Sequence, residues 1–98
     1  MDAKKNLKTL WAYVRDMAED EEIDINEAFA ETIEGFEFDE ARMSDDAIDA
    51  MSDDEARTLL FDIGYMAVNV LFGGDFEAWN YTLESLGFDE ETIEFLNY

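Results

Sequence analysis

The sequence contains no cysteine, no histidine and no proline. Without cysteine, the chain can form neither a disulfide framework nor a thiolate metal site, and a reducing cytoplasm is the simplest setting for it. Without histidine, it lacks the commonest general base, the usual partner of a catalytic nucleophile and the usual ligand of transition metals. We therefore expect no enzyme activity, no metal site and no cofactor.

The sequence also lacks a long apolar run. Its first segment, MDAKKNLKTLW, has no apolar stretch like that of a signal peptide. The longest largely apolar run, residues 58–72, is interrupted by Asp62 and is shorter than the roughly 20 residues that cross a bilayer. We therefore expect a cytoplasmic protein with no membrane partner.

Basic residues are scarce, with 6 Lys and Arg against 27 Asp and Glu and a formal net charge of −21. The charge is uneven, because residues 1–15 carry a net positive charge from Lys4, Lys5, Lys8 and Arg15. The segment 19–55 is the most acidic, and its one basic residue is Arg42. Self-repulsion on this scale costs stability, so we expect the charge to serve a function.

Apolar residues are nevertheless plentiful, at 48% of the chain with 14% aromatic, which is typical of a packed domain rather than a disordered acidic chain. A chain of 98 residues suits one domain, so we treat 1–98 as a single unit. Capping residues and apolar spacing predict an all-α domain, a small bundle of five or six helices around a central apolar helix at about 53–72. The predicted helices cover residues 3–19, 25–34, 45–51, 53–72, 76–86 and 90–96. Their predicted N-caps are Asp2, Asp24, Ser52, Asp75 and Asp89, and the short helix 45–51 is expected to follow Ser44.

Two groups of apolar residues leave alternatives open. A second face of the central helix, with Phe61, Tyr65, Val68 and Phe72, is predicted to be core or else a homodimer seam. The aromatic group near the end of the chain is predicted to be core of the last two helices or a set of interface anchors, and consists of Phe76, Trp79, Tyr81 and Phe88.

The stretch EDEEIDINEAF, residues 19–29, invites comparison with a calcium loop. Counted from Asp20, acids occupy four ligand positions of an EF-hand, but Ile25 stands where the loop needs glycine and Glu27 where it needs an apolar residue. The stretch DDAID, residues 45–49, places carboxylates on one helical face without a base or a glycine-rich phosphate loop. We therefore predict solvated acidic faces and no catalytic residues.

The spacing of Glu27, Glu31 and Glu34 predicts a row of carboxylates about 6 Å and 4.5 Å apart along one helix. Duplex DNA carries one charge per ~1.7 Å of its axis, or about one per 110 Å² of its surface. A folded chain of this mass exposes roughly 5,700 Å², so evenly spread charges would be too sparse to match that density. Segregation of the acids to one half would bring the density close to that of a duplex.

In composition, size and the acidic segment 19–55, the chain resembles the DNA-mimic proteins of phages and mobile elements, such as antirestriction proteins, some anti-CRISPR proteins and uracil-DNA glycosylase inhibitors. The resemblance implies a stoichiometric inhibitor in a bacterial host cell. Its partner would be a basic nucleic-acid-binding protein of host defence, repair or transcription, and it would not itself bind nucleic acid. The carboxylates expected to imitate phosphates are Glu19, Asp20, Glu21, Glu22, Glu27, Glu31, Glu34, Glu37, Asp39, Glu40, Asp45, Asp46 and Asp49.

Two other interpretations are compatible with the sequence, and either a monomer or a homodimer would suit any of them. One is an acidic adaptor or regulatory protein that binds a protein partner through an aromatic or apolar patch. The other is a halophile domain, in which the acids serve solubility in salt; clustered charge and eight phenylalanines argue against it.

Overall fold

A computed structural model describes residues 1–36 and 38–97, and it confirms an all-α bundle around a central helix. The central helix, α4 at Asp53–Met66, is extended by a π-helix at Ala67–Leu71. A short 3-10 helix at Glu40–Met43 precedes α3 at Asp45–Ala50. The α-helices within these residues are α1 Ala3–Asp20, α2 Ile25–Thr32, α3 Asp45–Ala50, α4 Asp53–Met66, α5 Phe76–Ser85 and α6 Glu90–Phe95.

The predicted helix starts are confirmed. Each capping oxygen accepts a hydrogen bond from a backbone N–H of the first turn, and so satisfies a donor that the helix itself leaves unpaired. The end of α5 is also as predicted: Gly87 has a φ of 84°, and the Phe88 N–H donates to the Leu83 carbonyl at 3.2 Å. The confirmed caps are Asp2, Asp24, Ser52, Asp75 and Asp89, and Ser44 caps the short helix that was expected to follow it.

Two predicted helices end two or more residues earlier than their sequences indicated. Helix α2 ends at Thr32 because Ile33 adopts an extended backbone, with φ −131° and ψ 106°. Glu34 therefore lies beyond the helix, and the predicted row of three helical carboxylates is wrong at its last member. The predicted helix 53–72 is α-helical only to Met66, after which the N–H of Phe72 donates to the carbonyl of Ala67 at 3.0 Å in π-helical register.

The core forms where α1 packs along α4. Leu10 and Val14 of α1 and Leu60 and Ile63 of α4 are all fully buried. The other side of α4 approaches Leu96 at Gly64: a Cβ there would lie 2.8 Å from the Cδ2 of Leu96, so the Leu96 side chain would have to shift. Glycine at this position therefore allows the buried Leu96 side chain to lie directly against the central helix.

The second apolar face of the central helix is partly covered by the fold: Val68 is fully buried, whereas Phe61, Tyr65 and Phe72 are half-buried. The Phe61 ring lies 5.8 Å from the Phe95 ring, and the Phe72 ring lies 5.2 Å from the Trp79 ring, both edge to face. Trp79 is fully buried, and its Nε1–H donates to the carbonyl of Leu96 at 3.3 Å. The predicted aromatic group therefore contains both core and surface residues: Trp79 belongs to the core, whereas Tyr81 on the same helix is 73% exposed.

Candidate partner-binding surface

The acidic run at residues 19–22 lies at the carboxyl end of α1 and is exposed throughout. The Ile23 N–H donates to the Ala18 carbonyl at 2.8 Å, and the Glu22 N–H donates to the Glu19 carbonyl at 3.2 Å. This is the Schellman arrangement, which usually has glycine at its left-handed position. Here that position is Glu22, with a φ of 57°.

These four acids occupy a place that the folding of α1 does not favour. The carboxyl end of a helix carries partial negative charge, so each acid near it costs about 0.3–1 kcal/mol where a cation would stabilise by a similar amount. No basic residue occupies the last turn of α1. The left-handed backbone of Glu22 adds a further cost of roughly 1 kcal/mol, because a side chain crowds that conformation. The run therefore reduces the stability of the fold.

Many of the other acids stabilise the fold locally. Some aspartates act as N-caps, and other acids occupy first turns, where negative charge interacts favourably with the positive end of the helix dipole. At Asp89, hydrogen bonds from Thr92 hold the pKa of the carboxyl below its usual value. Acids of this kind have a structural role in the fold whether or not a partner binds them; they include Asp2, Asp24, Glu27, Asp39, Glu40, Asp45, Asp46, Asp53, Asp54, Glu55, Asp75, Glu77, Asp89, Glu90 and Glu91.

An acidic groove extends from this run to α2 and the π-helix. It has a volume of about 240 Å³. Its carboxylates belong to exposed residues, whereas its apolar residues are half-buried or buried and so form its inner lining. The lining residues are Glu22, Ile23, Asp24, Glu27, Ala28, Glu31 and Val70.

A second depression, of about 310 Å³, adjoins this groove because Ile23 and Asp24 line both. Glu19 and Glu40 line it as well, together with Arg15, whose guanidinium lies 3.7 Å from the neighbouring Asp16 carboxylate. The two depressions join acids from α1, α2 and the 3-10 helix. We refer to this set as the acidic face, which consists of Glu19, Glu22, Asp24, Glu27, Glu31 and Glu40.

The predicted acids of α3 lie elsewhere. The Asp49 carboxylate accepts a hydrogen bond from the Lys8 ammonium at 2.7 Å, and the Asp49 carbonyl accepts one from Lys4 at 3.1 Å. The hydrogen bond to Asp49 raises the pKa of Lys8, and the nearby charge of Asp45 acts in the same direction. Lys8 is about 18 Å along the helix axis from the end of α1. Lys4 and Lys8 therefore compensate the α3 acids, and Arg15 is the cation of α1 that lies beside the acidic face.

The remaining predicted residues are distributed around these groups. Asp20 and Glu21 are exposed within the run, Asp46 is exposed at the start of α3, and Glu34 is exposed in the turn after α2. Asp39 caps the 3-10 helix, and Glu37 lies outside the described residues. The sequence indicates Asp24 only as a helix cap and not as a binding residue, yet Asp24 lies in both depressions.

The structure also bears on the calcium comparison. Helix α2 begins at Ile25, so the second half of the segment 20–31 is helical and does not form a binding loop. Within residues 1–36 and 38–97, no group of three or more acidic side chains is arranged to hold a metal ion. Across the same residues, none of the helices combines the length and the apolar character that crossing a bilayer requires.

Comparison with known proteins adds no relative. No protein-family model, curated protein or solved structure matches this chain.

Proposed function

We propose that this protein is a DNA-mimic inhibitor, which occupies the basic nucleic-acid-binding groove of another protein through its acidic face. The observation that carries the proposal is the run at residues 19–22, where consecutive carboxylates occupy a helix end and a left-handed position that both disfavour them. A surface that lowers stability on its own is well suited to a cationic partner, because binding would compensate the helix end as well as the side chains. A DNA-binding groove supplies such cations at high density.

The distribution of charge supports the same proposal. The chain exposes 5709 Å² and has a net charge of −21, an average of one charge per ~270 Å², which is sparser than a duplex. Imitation of DNA therefore needs the acids to be concentrated. Lys4 and Lys8 contact α3 and so lie away from the acidic face, which keeps Arg15 as a neighbouring cation. The longest dimension of the molecule, 32 Å, is close to the length of about ten base pairs.

The mechanism would be physical occupation rather than chemistry. Lys and Arg side chains of the target would pair with the exposed carboxylates of Glu22, Glu27 and Glu31, while their aliphatic stems would contact the apolar lining of the acidic groove. The net charge would steer association and make it fast at low salt. The expected partner is a basic nucleic-acid-binding host protein in a bacterial cytoplasm, and the inhibitor would act as a monomer or homodimer without binding nucleic acid itself.

Capture from a bacterial lysate tests the proposal. The tagged protein should retain a nucleic-acid-binding protein, which salt and competing duplex DNA both release. The triple variant Glu22→Gln, Glu27→Gln, Glu31→Gln should lose this partner, whereas a variant with the same change of charge on α6 should retain it. That control carries Glu90→Gln, Glu91→Gln and Glu94→Gln. Captured partners that bind no nucleic acid, or an equal loss in both variants, would refute DNA mimicry.

A second candidate function, an acidic adaptor that binds a protein through an aromatic patch, is favoured by one observation. Tyr81 is 73% exposed on α5, where a large aromatic side chain contributes little to the core. In the capture experiment, an adaptor would lose its partner on Tyr81→Ala and would retain it in the triple variant of the acidic face. Trp79 cannot serve in this test, because it is fully buried.

A further inference from the structure

Helix α5 presents an aromatic ring to solvent. Trp79 and Leu83 of this helix are fully buried, and Tyr81, which lies between them in sequence, points to the opposite side with 73% exposure. It is the most exposed of the large hydrophobic side chains in the described residues. The ring therefore provides an aromatic surface that the fold does not use.

Carboxylates flank this ring along the helix. Glu77 precedes Tyr81 by four positions and Glu84 follows it by three, so both lie on the face of the ring, about 6 Å and 4.5 Å away along the axis. Both are exposed. A groove of about 430 Å³ beside the ring is lined by Asp75, Glu77, Ala78, Tyr81 and Thr82.

The cations of the chain do not occupy this position. Lys8 pairs with Asp49, and Arg42 pairs with Glu55. Arg57 lies over the ring of Phe95, with its guanidinium carbon 5.3 Å from the ring centroid, and among the described residues the Tyr81 ring has no equivalent cation. The Arg57 contact is an example, within this fold, of a guanidinium held by an aromatic ring.

We propose that the face of α5 formed by Glu77, Tyr81 and Glu84 binds an arginine side chain of a protein partner. The guanidinium would stack on the ring of Tyr81 while its N–H groups donate to the flanking carboxylates. The inference does not require the acidic face to imitate DNA, since α5 contributes no residue to that face.

Charge complementarity selects this occupant over others. A second copy of the chain would oppose these carboxylates with its own, and an anionic membrane or a nucleic acid would be repelled in the same way. Arginine suits the site better than lysine, because its planar guanidinium can stack and donate in parallel, whereas the lysine ammonium is a compact and strongly hydrated charge.

Nuclear magnetic resonance titration of the full chain tests the proposal, with a tetra-arginine peptide and the matching tetra-lysine peptide as probes. We expect the Tyr81 ring resonances to shift with the arginine peptide, and the arginine peptide to bind about threefold to fivefold more tightly than the lysine peptide. Tyr81→Leu keeps an apolar side chain but removes the ring, so it should abolish this preference, whereas Tyr81→Phe should retain it.

A matched charge control separates this site from general attraction between the peptides and an acidic protein. The double variant Glu77→Gln, Glu84→Gln should reduce the preference for the arginine peptide. The control Glu90→Gln, Glu94→Gln should lower the affinity for both peptides equally and leave the preference unchanged. Equal affinity for the two peptides, an unmoved Tyr81 resonance, or a Tyr81→Leu variant that behaves like the unmodified protein would overturn the proposal. Each of these results would leave the test of DNA mimicry unaffected.

Discussion

Among single residues, Glu22 connects the local backbone most directly to the proposed function. It occupies the left-handed position that ends α1, with a φ of 57°, where glycine carries no steric penalty. Substitution Glu22→Gly should therefore stabilise the fold by about 1 kcal/mol, which corresponds to a rise in Tm of roughly 5 °C for a domain of this size. Thermal unfolding followed by circular dichroism measures the change.

Glu21→Gly is the matched control, because it removes the same charge one residue earlier, where φ is −92° and glycine brings no steric relief. It should leave Tm unchanged or lower it, since glycine costs more conformational entropy on folding. If both variants raised Tm equally, charge alone would explain the effect. In the capture experiment, Glu22→Gly should also weaken partner binding, so that stability and binding change in opposite directions.

Asp62 is an acid whose surroundings in the fold disfavour its charge. It lies in the central helix α4, and partial burial raises the pKa of its carboxyl above the ordinary value of 3.8. The folded state therefore holds the proton more tightly than the unfolded chain does. As the pH rises from 3.8 through the raised pKa, ionisation of this carboxyl lowers the free energy of unfolding. At neutral pH the whole penalty is present.

Asp62→Asn should consequently raise Tm at about pH 7, and its advantage should shrink as the pH falls towards about 3, where both states of the unmodified protein are protonated at this carboxyl. Differential scanning calorimetry of both proteins across this range measures the effect. The same substitution at the exposed Asp16 should change Tm little at either pH. An advantage of Asp62→Asn that stayed constant with pH would contradict an origin in the charge.

At the scale of elements, α5 has two sides with different roles. Its inner side holds Trp79, which fills the space beside Phe72 and donates a hydrogen bond to the Leu96 carbonyl. Trp79→Ala should therefore destabilise the fold by about 3–5 kcal/mol, a large part of the stability of a small domain. Urea unfolding measures this loss.

Tyr81→Ala, two residues away on the outer side, is the control and should change stability by no more than about 0.5 kcal/mol. A similar loss of stability from both substitutions would mean that α5 has a different orientation in the fold. The pair therefore tests the orientation on which the arginine-binding proposal depends.

The starts of the helices could be predicted from the sequence because capping is a local interaction. Asp24 accepts hydrogen bonds from the N–H groups of Asn26 and Glu27, and Asp75 accepts one from Ala78, all within three residues. Spacing also identified the apolar face of α1. Local signals were weaker at some helix ends: Gly35 suggested an end near Glu34, yet α2 stops at Thr32.

Orientation relative to neighbouring helices could not be predicted in the same way. Trp79 and Tyr81 are both large and aromatic, and which of them is buried depends on where α5 meets Phe72 and the end of the chain. Tertiary packing also decides which acids belong to the acidic face. The 3-10 helix places Glu40 in it, whereas Asp49 lies elsewhere and contacts α1. Such pairings depend on tertiary packing, which the order of residues does not state.

On the scale of the whole molecule, the net charge of −21 should make stability depend on salt. The described chain measures 32 × 29 × 24 Å. The Debye length is about 30 Å at 0.01 M salt and about 3 Å at 1 M, so at low salt acids on opposite sides of the molecule repel one another, whereas at high salt only close neighbours do. Raising the salt concentration should therefore raise Tm.

The fold should nevertheless persist at low salt, which distinguishes it from a halophile domain that needs salt to fold. The core of α1 and α4 and the local N-caps do not depend on screening, and the ion pair between Lys8 and Asp49 should strengthen as salt is removed. We expect equal helical circular dichroism at about 0.01 M and 1 M salt, with a higher Tm at 1 M. Loss of the helical signal at low salt would instead indicate a halophile domain, in which the acids keep the protein soluble at high salt. If salt releases the captured partner and also raises the Tm of the protein, the acids serve binding of that partner.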